Sequence, residues 1–274
     1  MLSIPLLDTT FKDLRDYIYE HSGIYIADTK KYLIENRLAR VLQDKKLNSF
    51  EEYLNIIKFC SNGNEKARLF DAVTTNETYF FREIDQLNVL SEDLIPNILK
   101  QKNGVQSLKI WSAACSSGEE PYSIAMILLE KYFSNMQYEI YASDICESVL
   151  SSAKKGVYSS YSVRNIPQFY FHKYFRKLEQ LFSLNQDVKD SVKFKKINLI
   201  DEKSVKSISG MDIIFCRNVL IYFDAKAKQK VVSHLYNALN PGGYLIIGSS
   251  ESLHSVTRAF RPSVIKKVII YQKV

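Results

Sequence analysis

The stretch Ile110-Trp111-Ser112-Ala113-Ala114-Cys115-Ser116-Ser117-Gly118-Glu119-Glu120-Pro121-Tyr122-Ser123 decides how this chain is read. An apolar run, Leu108 to Ala114, stops at a turn of small residues, Cys115 to Gly118. An acidic pair and a proline follow, and then a helical run from Tyr122 to Tyr132. The order is strand, turn, helix. Pro121 is tolerated in the first helical turn, where its missing N–H has no intrahelical acceptor to lose. A tight turn of this kind lets a ligand approach the backbone at the place where α/β sheets bind nucleotides. The turn departs from G-x-G-x-x-G: it has one glycine, and carboxylates stand where a dinucleotide fold presents bare amides to a pyrophosphate. A carboxylate here repels phosphate and suits a cationic ligand with hydroxyls or an amine. S-adenosylmethionine carries a sulfonium, an amino group and a ribose, and no phosphate. The same residues also fit an ordinary strand-to-helix turn whose Glu119-Glu120 start is solvated and favoured by the helix dipole. The stretch alone does not separate the two readings.

Outward from this turn, strands and helices alternate. Apolar or β-branched strand segments are Leu108–Ala114, Tyr138–Ala142, Val192–Ile197, Asp212–Cys216, Tyr244–Gly248 and Val268–Gln272. Helical spacing fits Pro121–Phe133, Glu147–Lys155, Lys226–Leu239 and a long stretch around Ile84–Lys102. Asn240-Pro241-Gly242-Gly243 reads as a turn opening onto a strand. The alternation predicts a doubly wound parallel sheet. The last two strands, joined through Ser249–Pro262 with little helix, suit an antiparallel terminal pair. Residues 158–190, rich in Tyr, Phe and Lys without a clean period, read as an insertion between the second and third sheet strands.

The first 70 residues read as helices. Thr9 or Thr10 is placed to cap a helix through Glu20, with Phe11, Leu14, Tyr17 and Ile18 on one face and Gly23 as its stop. A second helix, Lys30 to Asp44, offers Leu33, Leu38, Val41 and Leu42 to the core. Ser49 with Glu52 is a capping box for a third, Phe50 to Phe59, and Ser61-Asn62-Gly63-Asn64 breaks it. A further helix, Glu65 to Val73, leads to the sheet region.

With 274 residues, 46% of them hydrophobic, the chain has enough material for a sizeable core in one or two domains. Met1 to Leu7 lacks the features of a signal peptide, and no apolar run approaches membrane-spanning length, so a cytoplasmic protein without membrane insertion is expected. Cys60, Cys115, Cys146 and Cys216 are scattered without a C-x-x-C, which favours reduced thiols over disulfides or zinc. The four histidines show no ligand spacing, and no metal site is expected. The net charge of +7 fits a lysine-rich surface, or an acidic partner: a protein helix, nucleic acid or anionic lipid.

Three further segments carry candidate chemistry. Asp144 follows the strand Tyr138–Ala142, where an acidic residue is placed to accept bonds from ribose hydroxyls, or to cap the helix at Glu147. Thr74-Thr75-Asn76-Glu77-Thr78-Tyr79-Phe80-Phe81-Arg82-Glu83 puts polar residues, three aromatics and an arginine just before the sheet begins. It reads either as a linker packing Tyr79–Phe81 into the core or as a segment covering the cofactor, with Arg82 aimed at a substrate carboxylate. Phe215-Cys216-Arg217-Asn218-Val219-Leu220-Ile221-Tyr222-Phe223-Asp224 follows the fourth strand, at the edge where such folds carry site residues. It lacks the Asn/Asp-Pro-Pro-aromatic sequence of many nucleic-acid amino-methyltransferases, which counts against base N-methylation and a nucleic-acid partner.

Asn76–Glu83, Trp111–Ser123, Ala142–Ile145, Cys216–Asp224 and Asn240–Gly243 together closely resemble the CheR family of chemotaxis protein-glutamate O-methyltransferases. The resemblance runs in order along essentially the whole chain. It implies a small all-α N-terminal domain (residues 1–75) followed by a Rossmann-like α/β methyltransferase domain (76–274) with a small β-subdomain inserted at about 158–192. It implies S-adenosylmethionine as cofactor, S-adenosylhomocysteine as product, and glutamates on the cytoplasmic helices of chemoreceptors as substrate. Carried over by position, Asn76, Thr78, Arg82, Glu119, Asp144, Asn198, Leu199, Asn218 and Val219 match cofactor contacts, and Arg82 and Tyr222 match the pair near the transferred methyl. Some members hold a receptor's C-terminal peptide through a loop with glycines. Phe175 to Phe194 has none, so no such tether is expected.

The chemistry agrees with this resemblance. A glutamate carboxylate is ionised at neutral pH, so the transfer needs no general base. The catalytic work is alignment of oxygen, methyl carbon and sulfur. Carboxylate and sulfonium charge cancel partly in the transition state, so an arginine paired too tightly to the carboxylate would slow the step. Residues 30–46 hold six basic and two acidic residues, a local net charge of +4. Lys30, Arg37 and Arg40 share one side of the helical projection, a docking face for acidic receptor helices, or simply a solvated face. Two other readings stand beside the main one: a methyltransferase acting on another protein or a small molecule, and a non-catalytic scaffold that binds the cofactor.

Overall fold

A computed structural model describes residues 4–59, 63–102, 107–132 and 136–274. Cys60 and Ser61-Asn62, expected as a thiol and as part of a helix break, lie outside the described residues. The chain divides into two compact units: Met1–Thr75 with Tyr222–Ala227, and Asn76–Ile221 with Lys228–Val274.

The first unit is helical: Asp8–Ser22, Lys31–Lys45 after a 3-10 turn at Asp28–Lys30, Phe50–Phe59 and Asn64–Val73. Neither Thr9 nor Thr10 caps the first helix. Its N-cap is Leu7, without a side-chain bond, and Thr10 is buried with its hydroxyl donated to the Glu51 carboxylate. Gly23 ends that helix in the left-handed region at φ 75°, its N–H bonding to Tyr19 O. In the second helix the buried residues are Ile34, Leu38, Val41 and Leu42, so Ile34 takes the core position expected of Leu33. Ser49 caps the third helix, its Oγ accepting from Glu52 N at 3.2 Å. Glu52 reaches back to Asn48 N at 2.9 Å, one residue before the amide that a standard capping box satisfies. Tyr222–Ala227 join this unit by backbone pairing: Ile24 bridges Phe223, and Tyr25 N donates to Tyr222 O at 2.9 Å.

The second unit is built on a seven-stranded sheet of order β6-β2-β1-β7-β8-β10-β9. Its strands are β1 Ser107–Ala113, β2 Gln137–Asp144, β6 Val192–Lys196, β7 Met211–Cys216, β8 Leu239–Ile247, β9 Phe260–Ile265 and β10 Val268–Lys273. The first five are parallel, whereas β10 runs antiparallel to β8 and β9. All six residues of β7 are buried, as a strand in a covered parallel sheet requires. β9 was not read from the sequence, since only Phe260 among its residues is buried and the strand alternates weakly. Asn240–Gly243 is part of β8 rather than a free turn. A bulge lies between Met211 and Ile213, Asn240 Nδ2 donates to Gly210 O at 3.0 Å and Asp212 Oδ1 at 2.8 Å, and these bonds hold the segment on the sheet.

A second, three-stranded sheet of order β3-β5-β4 lies in the insertion, with β3 Val157–Tyr158, β4 Phe175–Leu178 and β5 Leu181–Leu184. The helix Glu119–Lys131 packs on β1, β2 and β6 and buries nine residues, seven of them apolar. Among the described residues no helix is long and apolar enough to cross a membrane.

Candidate active site

The site grows from the C-terminal ends of β1, β2, β6 and β7. After β1 the chain turns through Ala114 (φ 69°), Ser116 (φ 49°) and Gly118 (φ 92°). Three left-handed residues in five are costly, about 1–3 kcal/mol for each non-glycine, and such conformations cluster where a backbone serves a ligand. At Gly118 a Cβ would lie 2.9 Å from Ala153 Cβ and 3.0 Å from the Tyr122 ring, so both its φ and its neighbours demand glycine. The turn is tied down by Cys115 N to Ser143 O at 2.8 Å and Ser116 N to Asp144 Oδ2 at 2.9 Å.

The acidic pair is not a solvated helix start. Glu119 is 1% exposed, its carboxylate bonded by the Ser117 hydroxyl at 2.7 Å and by Ser162, and burial pushes its pKa above the ordinary carboxylate range. Glu120 accepts from Ser112 Oγ at 2.6 Å and from Arg217 Nη1 at 3.0 Å. Burial raises the Glu120 pKa, and Arg217 opposes the rise. Asp144 does not cap that helix, whose N-cap is Cys146; both of its carboxylate oxygens instead bond neighbouring backbone amides. Its Oδ1 accepts from Cys146 N at 3.0 Å at the start of the helix Glu147–Lys155, and its Oδ2 holds the β1 turn.

The segment before the sheet packs two of its three aromatics, Phe80 and Phe81, into the core, while Tyr79 is half-buried. Phe80 is fully buried, edge-on to Tyr158 at 4.7 Å and to Phe175 at 5.0 Å, and Phe81 packs on Tyr170 at 4.9 Å. Burying two such rings contributes about 1.5–3 kcal/mol each. Asn76 O accepts from Ser116 Oγ at 3.0 Å, which fastens the strap to the β1 turn. Thr78 and Arg82 are half-buried on it. Phe81 (φ 56°) and Glu83 (φ 55°) both take the left-handed region, so Arg82 sits between two strained residues.

Asn198 and Leu199 follow β6. Ile197 N donates to Asp144 O at 3.0 Å, and His234 Nδ1 lies 2.8 Å from Leu199 O. Asn218 (φ 57°) and Val219 follow β7. The fold thus gathers Asn76, Glu119, Asp144, Asn198 and Asn218 at one sheet edge, and Arg82 is bound to the residue after β7 through Arg217. Tyr222 is grouped with the helical unit.

Three participants were not singled out from the sequence. Arg217 is 7% exposed; beyond Glu120 it donates from Nη2 to Arg82 O at 2.7 Å and lies 3.5 Å from Glu83 Oε2. Glu251 accepts from Asn218 N at 2.9 Å, Gly248 N at 2.7 Å and Ile221 N at 3.2 Å, fixing the loop after β7. Glu120 was noticed only as half of an acidic pair. The available signal for Arg217 was a charged residue placed directly after the apolar run Ile213–Cys216.

Residues 76–269 match the family description CheR methyltransferase, SAM binding domain, and residues 9–74 match CheR methyltransferase, all-alpha domain. The chain belongs to the CheR methyltransferase family. It is 39% identical to chemotaxis protein methyltransferase 2 of Vibrio cholerae, over 100% of this chain and 96% of that one. It is 38% identical to the chemotaxis protein methyltransferase of Borreliella burgdorferi, over 92% and 91%. The cofactor of the family is S-adenosylmethionine, and the donor set fits it. Buried carboxylates at Glu119 and Asp144 with side-chain amides at Asn76, Asn198 and Asn218 suit an amine and hydroxyls, and they offer no cationic cradle for a phosphate. Among the described residues no group of His, Cys, Asp and Glu is arranged to hold a metal. Cys115, Cys146 and Cys216 are buried free thiols.

Asp144→Ala is expected to weaken S-adenosylmethionine binding by about 1–3 kcal/mol, the loss typical of bonds to a charged acceptor. The same change strips Ser116 N and Cys146 N of their acceptor, so Asp144→Asn, which keeps an oxygen, should lose less. Titration calorimetry with unchanged affinity for both variants would remove Asp144 from the cofactor site.

Proposed function

We propose that this chain transfers the methyl group of S-adenosylmethionine to glutamate side chains of chemoreceptors, forming methyl esters in sensory adaptation. The observation that carries this reading is Arg82: a half-buried guanidinium on a strained strap beside the Glu119 and Asp144 turn, donating to Glu77 O at 3.1 Å and making no ion pair among the described residues. A cation kept available next to a cofactor turn suits an anionic methyl acceptor. When bound, the cofactor supplies an electrophilic methyl on a sulfonium.

The residues divide the remaining work. Asn76, Thr78, Glu119, Asp144, Asn198, Leu199, Asn218 and Val219 hold the cofactor. Arg82 orients the substrate carboxylate, and Tyr222 hydrogen-bonds near the reacting oxygens. Orientation of the acceptor oxygen is the main contribution, since the carboxylate is already a nucleophile. An assay with methyl-labelled cofactor and receptor cytoplasmic fragments tests the proposal. Label on the receptor that mild base releases supports it; base-stable label, or none, excludes glutamate methylation.

Docking of the acidic receptor helices is assigned to the exposed basic residues of the helical unit, expected as Lys30, Arg37 and Arg40. Lys30 and Arg40 are exposed, but Lys30 stands in the 3-10 turn that precedes the helix and not on the helix itself. Arg37 is committed elsewhere: it donates to Val73 O and, at 2.7 Å, to Thr75 Oγ1, clamping the end of the last helix of that unit. Lys30→Glu with Arg40→Glu therefore tests the surface more cleanly than any change at Arg37. The double variant is expected to lower receptor methylation about tenfold or more at low salt, where such steering is strongest, with cofactor affinity unaltered. Wild-type rates in low salt would exclude this helix as the docking surface.

A further inference from the structure

Two arginines share one tyrosine at the mouth of the strap. The Arg164 guanidinium carbon lies 4.0 Å from the Tyr79 ring centroid and 3.6 Å from that of Tyr161. Arg82 lies 5.7 Å from the same Tyr79 centroid. The arrangement is braced from both sides. Tyr161 OH donates to Glu77 Oε1 at 2.7 Å, Phe80 N donates to Ser162 O at 3.0 Å, and Ser162 also bonds the Glu119 carboxylate. Arg164 itself is exposed and donates Nη1 to Tyr161 O.

The Arg164 guanidinium lies against two tyrosine rings and spends Nη1 on Tyr161 O, which leaves the rest of its N–H edge for a ligand. A planar cation held in this way has lost little freedom still to lose on binding, and its fork matches a carboxylate. Neither Arg164 nor Arg82 makes an ion pair among the described residues; the carboxylate at hand, Glu77, is engaged by Tyr161. Two guanidinium groups against one tyrosine ring, with the single Glu77 carboxylate nearby, leave a local excess of positive charge that is complementary to an anion from outside.

We infer that Arg164, held against the Tyr79 and Tyr161 rings, is a second carboxylate-binding residue beside Arg82, taking an acidic side chain of the substrate protein that flanks the target glutamate. The inference rests on the proposed glutamate methylation and adds a specificity determinant to it.

The test uses the full chain and two receptor fragments that differ only by an acidic residue or glutamine beside the target. Wild type is expected to show a KM about 3–10-fold lower for the acidic fragment, in the range of one exposed charge-assisted pair. Arg164→Ala should remove that preference, with the loss in KM and none in S-adenosylmethionine affinity. Arg164→Lys, which keeps the charge but not the stacked fork, should restore part of it. Equal KM values for the two fragments with wild type, or an Arg164→Ala effect that is the same on both, would overturn the inference while leaving glutamate methylation intact. No methylation of either fragment by wild type would remove the proposed function and this inference with it.

Discussion

Arg217→Ala is expected to lower the stability of the sheet unit by about 3–5 kcal/mol, because removing one partner of a buried pair leaves an uncompensated buried charge. The Arg217 side chain is 3% exposed and that of Glu120 14% exposed, and their contact is 3.0 Å. The same arginine holds Arg82 O at 2.7 Å and approaches Glu83, so the strap loses its anchor as well. The pH dependence gives a second readout. Glu120 already has a raised pKa from burial, with Arg217 pulling it down, and loss of Arg217 raises it further. A carboxyl whose folded pKa lies above its unfolded value stabilises the fold at low pH and loses that contribution as pH rises through the folded pKa. The variant should therefore come closest to wild type in acid and fall away toward neutral pH. Glu120→Gln in the same background, which removes the stranded carboxylate, should recover part of the loss. Denaturant titrations across pH with a constant small deficit would show that Arg217 is not the charge partner that holds this edge together.

Arg82→Ala is expected to reduce turnover by about 10²-fold or more while changing cofactor affinity far less. Misplacing an acceptor by about 1 Å costs a factor of that order in a reaction governed by alignment. The fold should tolerate the change. Among the described residues the Arg82 side chain makes one hydrogen bond, to Glu77 O, whereas the structural bond from Arg217 goes to its backbone carbonyl, which alanine retains. Arg82→Lys keeps the charge without the fork and should recover only part of the rate. Single-turnover rates at saturating cofactor, read beside calorimetric affinities, separate the two effects. Full turnover at saturation together with weakened cofactor binding would make Arg82 a cofactor residue alone.

Much of the architecture was legible from local pattern. Gly23 stops its helix, Ser49 caps the third, and the six expected strands all form, most with ends shifted by one or two residues. These features depend on backbone freedom, side-chain period and turn chemistry within a few residues. Local pattern failed where a partner far along the chain decides the outcome. Thr10 is drawn into its helix by Glu51, 41 residues away, instead of capping it. Asn240-Pro241-Gly242-Gly243 has turn chemistry, yet the bonds of Asn240 to Gly210 and Asp212, 30 and 28 residues away, make it strand.

The site divides along the same line. By itself the sequence determined the strand-to-helix turn, its single glycine, the acidic residues after β1 and at the end of β2, and the order of segments that marks the family. Each of these is written in consecutive residues. Only the tertiary structure decided that Glu119 is buried instead of solvated, that Arg37 clamps its own helical unit, and that Arg217 joins Glu120 to the backbone of Arg82. Glu120 and Arg217 lie 97 positions apart, and Arg217 and Arg82 lie 135 apart. They meet because β1 and β7 are neighbours in the sheet, with Ser112 opposite Phe215. Strand order follows from how the whole chain buries its apolar faces, and no local period encodes it.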